Sequence, residues 1–72
     1  MATEAWIVTE GSDQGWWVVS GHLDKQDALL RAEELKCGIE HDLAYHSKED
    51  RLTWFNREEP WFRITVEKVT LG

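Results

Sequence analysis

Leu23-Asp24-Lys25-Gln26-Asp27-Ala28-Leu29-Leu30-Arg31-Ala32-Glu33-Glu34-Leu35-Lys36-Cys37-Gly38 reads as a helix with both ends marked. Asp24 offers an N-cap acceptor, Asp27 follows three residues later as an approximate capping box, and Leu23 can pack on Ala28 as a hydrophobic staple. The helix is expected from Lys25 to about Cys37. Gly38 is expected to stop it in the left-handed conformation, open to glycine for want of a Cβ, and Lys36 suits the negative end of the helix dipole. At about 100° per residue, Ala28, Ala32 and Leu35 form one narrow stripe with Leu29 at its edge. That stripe should face a sheet, and its two alanines permit a close approach. Leu30 and Cys37 fall on nearly the opposite side.

Outward from the helix, both flanks change to period two. Ala5 to Glu10 and Trp16 to Leu23 are rich in β-branched and aromatic residues, and Gly11-Ser12-Asp13-Gln14-Gly15 between them suits a turn, which predicts a β-hairpin. After Gly38, alternation over Ile39 to Ser47 predicts a strand, although Ile39 and Leu43 would also suit a helical turn. Lys48-Glu49-Asp50-Arg51 is a polar hairpin loop leading into Leu52 to Asn56. Trp61 to Val69 is the clearest strand: Phe62, Ile64 and Val66 alternate with Trp61, Arg63, Thr65 and Glu67. The first set is expected under the helix, with Trp61 and Arg63 more exposed. The expected fold is α+β, in the order ββαβββ, with an antiparallel sheet of four to five strands and one helix packed on one face.

At 72 residues, a chain buries only about 60% of the surface that it exposes when unfolded, which leaves room for one domain and not for a deep cleft. Cys37 is the only cysteine, so no intrachain disulfide is available and a reducing compartment is expected. Met1 to Trp6 lacks a basic segment followed by an apolar run and a small-residue cleavage site, and no apolar segment approaches membrane-spanning length. A cytoplasmic location is expected, and the initiating Met1 fits a complete gene product.

Fourteen acidic residues against eight basic ones give a formal net charge of −6. Sequence-independent binding to phosphate backbones draws on Lys and Arg, here outnumbered and scattered, so direct binding of duplex nucleic acid is not expected. The charge serves solubility, or else presents an acidic surface to a basic protein groove as a nucleic-acid mimic would.

Sites for chemistry are few. Cys37, His41 and His46 match no usual zinc spacing, and on a strand the two histidines point to opposite faces, so no metal and no cofactor are expected. Cys37 with a distant histidine lacks a third orienting group. Glu33-Glu34 and Glu58-Glu59 are sequence neighbours whose carboxylates diverge, and the dispersed glycines form no phosphate loop. Hence no enzyme is expected.

The unusual feature is tryptophan, five residues at positions 6, 16, 17, 54 and 61, joined by Tyr45, Phe55 and Phe62. About half of these rings should serve the core. Adjacent pairs such as Trp16-Trp17, Trp54-Phe55 and Trp61-Phe62 must split between the two faces of a strand, and one helix shields one face. Trp61, Trp54, Trp16, Arg63 and Tyr45 are therefore the candidate binding residues, with Trp61 and either Trp16 or Trp54 expected on the helix-free face.

The opening also resembles a known group. Trp6-Ile7-Val8-Thr9-Glu10-Gly11, then Val18-Val19-Ser20-Gly21-His22-Leu23, then Asp24-Lys25-Gln26-Asp27-Ala28 look like small ββαβ proteins frequent in phage and bacterial genomes. The likeness covers about half the chain. Its first turn, Ser12-Asp13-Gln14-Gly15, departs from the acidic and aromatic residues often found there. The resemblance implies a phage or mobile-element origin and carries over no functional residue. Together these readings describe a non-enzymatic, acidic protein-binding module, possible in the form of a phage protein that inhibits a host protein such as a defence nuclease. The alternatives are a stacking platform for single-stranded nucleic acid or another flat ligand, and a structural homodimer packed sheet to sheet.

Overall fold

β-Branched and aromatic residues on either side of the helix pair into one sheet. The computed structural model describes residues 3–39 and 43–71. Its elements follow the expected order: β1 (Thr3–Ser12), β2 (Gly15–His22), α1 (Lys25–Cys37), β3 (Leu43–Lys48), β4 (Arg51–Asn56) and β5 (Arg63–Leu71). All pairings are antiparallel, and the open sheet has the order β2-β1-β5-β4-β3. The last strand thus lies at the centre, where Ile64, Thr65 and Val66 are all buried. Among the described residues, no helix is long and apolar enough to cross a membrane.

α1 starts at its expected cap, with the Gln26 N–H donating to Asp24 Oδ1 at 2.7 Å, but Leu23, expected to staple onto Ala28, is 76% exposed. Its end differs from expectation. Gly38 stays in the right-handed region at φ −85°, and its N–H donates to the Leu35 carbonyl. The Ile39 N–H then donates to the Lys36 carbonyl at 3.0 Å. A tightened last turn satisfies the terminal carbonyls, so the left-handed cap is not needed.

Ala28 and Ala32 are fully buried against Val8, Ile64 and Val66, with Leu35, Ile39, Trp6, Val19, Leu52 and Trp54 packed around them. Leu30 and Cys37 are exposed, as their angular position implied. The helix packs on β1, β5 and β2. Thirteen residues make a helix about 20 Å long, whereas the longest dimension of the molecule is 42 Å. One end of the helix-side face is therefore left uncovered.

That limit corrects the expectation for Phe62. It lies on the helix side but beyond the end of α1, and it is 39% exposed. Nor does it belong to a strand. The Phe62 N–H donates to the Glu59 carbonyl, and the Phe62 carbonyl accepts from Asn56 N–H. Asn56 Oδ1 accepts from the N–H groups of Glu58 and Glu59. These bonds fold Arg57 to Phe62 into a turn, and the ladder resumes at Arg63. The segment expected as a strand from Ile39 begins at Leu43; residues 40–42 lie outside the described residues.

Candidate functional site: the helix-free sheet face

Strand register decides which side chains share a face, and one irregularity decides it for the tryptophan pair. Val8 pairs with Ser20 but Thr9 pairs with Val18, so Val19 is an extra residue in β2. This β-bulge interrupts the alternation. Val19 packs into the core, Trp17 takes the helix side opposite Glu10, and Trp16 emerges on the helix-free side opposite Gly11. In an unbroken ladder the two indoles would exchange faces.

Three rows of side chains cross the helix-free face. The first runs Trp16, Gly11, Arg63, Phe55, Ala44 from β2 to β3. The second runs Val18, Thr9, Thr65, Thr53, His46, and in the third Glu67 lies between Ile7 and Arg51, which in turn pairs with Lys48. Trp16 is 65% exposed. Gly11 leaves a gap beside it that the Arg63 stem fills: a Cβ on Gly11 would meet Arg63 Cγ at 3.2 Å and the Trp61 carbonyl oxygen at 3.0 Å. Trp16, Phe55, Arg51, Arg63, His46, Glu67 and the three threonines line one shallow depression of about 490 Å³.

The electrostatics of this face oppose those of the whole chain. Lys48, Arg51 and Arg63 share it with one strand carboxylate, Glu67. Among the described residues, the ion pairs use other cations: Arg31 with Glu34, Lys36 with Glu33, and Lys68 with Asp50 and Glu4. Three cations outside this face are thus locally neutralised, Lys25 lies over the Trp6 ring, and Lys48, Arg51 and Arg63 form no ion pair among the described residues. The expectation that basic residues are scattered is corrected: the register gathers three of them.

The five candidate binding residues do not form one site. Trp16 and Arg63 lie on the helix-free face. Trp54 lies on the helix side, its ring 5.4 Å from that of Tyr45 and 4.3 Å beneath Lys36 Nζ. This corrects its expected exposure: its partner Ile64 is a helix-side position, so Trp54 faces the same way. Trp61 lies in the turn, its ring 6.3 Å from that of Phe62 and tilted 45° to it, and not in the sheet. Phe55, Arg51 and Lys48 belong to the face and were missed; the signal was the period-two run Arg51, Thr53, Phe55.

A second depression, about 570 Å³, opens beyond the helix end between Trp17, Phe62, Ile39 and Leu43; the chain joining the last two lies outside the described residues. Elsewhere Ser20 Oγ and His22 Nε2 are 2.8 Å apart. Among the described hydrogen bonds, no acceptor orients the other nitrogen of that ring, as a serine nucleophile would require. His41 lies outside the described residues, and among those described no three His, Cys, Asp or Glu side chains are grouped for a metal. Comparison of this chain with protein-family models, with curated proteins and with solved structures finds no match.

Proposed function

We propose that this chain is a non-enzymatic binding module whose helix-free sheet face receives an anionic partner. The observation that carries this reading is the segregation of charge. In a chain of formal charge −6, Lys48, Arg51 and Arg63, none of them in an ion pair among the described residues, share one open sheet face with two aromatic rings and the strand carboxylate Glu67, while Glu49 and Asp50 of the hairpin tip border its Lys48–Arg51 end. Aromatic and arginine side chains are the usual anchors at recognition surfaces, and complementary charge supplies steering. A basic protein groove would meet like charge on this face, as would a second copy docked sheet to sheet. The described carboxylates that would serve a nucleic-acid mimic are spread over the helix, β1 and the connecting turns, and four of them are held in ion pairs.

Inorganic polyphosphate titrated into isotopically labelled protein tests the reading. Chemical-shift changes should centre on Trp16, Thr53, Phe55, Arg63 and Thr65, and should fade as salt is added. Changes confined to α1, or none at all, would overturn it.

A further inference from the structure

Resting on that reading, we infer that the anionic partner is a single-stranded nucleic acid, with bases stacked on Trp16 and Phe55 and phosphates held by Arg63, Arg51 and Lys48. Trp16 and Phe55 stand at the same level of the sheet, three strands apart, or about 14 Å at the usual interstrand spacing. Arg63 projects between them, its stem lying over Gly11. Beneath this row Thr9, Thr65 and Thr53 form a low floor, in which Thr65 is buried and the other two are half-buried. Arg63 thus stands between two rings on a shallow track that Arg51 and Glu67 also line, with no wall to enclose a small molecule.

Charge alone would suit any polyanion, but the rings favour one class. A polyphosphate has no ring to lie on Trp16 and an acidic peptide carries one only at an occasional aromatic residue, whereas a single strand presents a base with every phosphate. Stacking on exposed aromatic residues of an open sheet is a general means of holding unpaired bases, and it tolerates sequence because every base has a π-face. A duplex keeps its bases stacked on one another and offers only its backbone. The overall negative charge then acts as a filter, admitting the strand at this face and repelling it elsewhere.

The test uses fluorescence anisotropy with labelled single strands of about ten nucleotides, oligo-dT and oligo-U, within the site sizes that small folds cover. A duplex of the same length and inorganic polyphosphate serve as competitors. Either strand should bind more tightly than the duplex, and Trp16→Ala should weaken it about tenfold or more while leaving polyphosphate unaffected. With three phosphates engaged, the logarithm of affinity should fall with that of salt at a slope of about −2. Arg63→Ser should lower that slope, and Arg57→Ser, outside the face, should not. Trp16 is exposed on an edge strand, so its loss leaves the fold in place, which the melting temperature of the variant checks.

If polyphosphate competes as well as either strand and Trp16→Ala changes neither, the nucleic-acid inference fails and the anion-binding face stands. If no anion binds, or Arg51→Ser and Arg63→Ser have no effect, both fail. A dimer in sedimentation that excludes oligonucleotide and is lost with Trp16→Ser would replace both with a second copy on this face.

Discussion

Ile64 and Phe62 are two residues apart and share the helix side, yet they should respond oppositely to truncation. Ile64 is 1% exposed and fills the space under the two helix alanines. Ile64→Ala should cost about 2 to 5 kcal/mol, enough to unfold so small a domain. Phe62→Ala removes a ring held in a turn by backbone hydrogen bonds that the substitution keeps, so its cost should be about 1 kcal/mol or less. Urea melts check the ranking, and equal losses would mean that Phe62 belongs to the core. Glu49 supplies the opposite case. At φ +23° in the two-residue turn between β3 and β4, it sits where side chains with a Cβ are strained. Glu49→Asn should raise stability by about 0.5 kcal/mol, read as a higher melting temperature. Alternation in the sequence was enough to put Ile64 and Val66 in the core. It failed at Phe62, because the length of the helix, and not the parity of the strand, decides what is covered.

Elements were legible where their signals are local. The bounds of α1 follow from Asp24, from the alanine stripe and from Gly38, even though the cap at Gly38 takes another form. Asp24→Ala leaves the Gln26 N–H without its acceptor and should cost about 1 kcal/mol in a thermal melt. The faces of β2 were not legible, because the Val19 bulge depends on pairing with β1. Arg51 and Lys48 were overlooked for a similar reason: they join Arg63 only through the β4 and β5 ladder. The β3–β4 hairpin tip is tied back by Lys68, whose N–H donates to the Asp50 carbonyl at 2.8 Å and whose ammonium lies 3.2 Å from Asp50 Oδ1. The side-chain hydrogen bond from the ammonium to Asp50, then the charge of Asp50 and that of Glu4, raise the Lys68 pKa above its ordinary value. A lysine whose folded pKa is raised stabilises fully below its unfolded value, and loses that contribution as pH rises through the folded one. Lys68→Met should therefore lower the melting temperature at neutral pH, and the two proteins should converge only at strongly alkaline pH. A gap that persisted there would point to packing of the stem instead.

At the scale of the whole molecule, the arrangement of charge makes a statement about self-association. Two copies packed through their helix-free faces would bury Trp16 and Phe55, which favours contact, but would also bring Lys48, Arg51 and Arg63 toward their counterparts. Like charges in a partly desolvated interface cost more than exposed ones, and the repulsion is felt across about 10 Å at 0.1 M salt. The chain should therefore sediment as a monomer at low ionic strength. Near 1 M salt the screening length falls to about 3 Å, and apolar contact between these faces should then compete better, so any dimer should grow with salt. Arg51→Ser with Arg63→Ser should shift association toward lower salt, whereas Trp16→Ser should suppress it under all conditions. A dimer present at low salt that dissociates on adding salt would contradict this, because it would require the basic face of one copy to meet acidic side chains of another. Such a head-to-tail contact leads to rings or to open chains of more than two copies as concentration rises, so sedimentation across a concentration series separates the two cases.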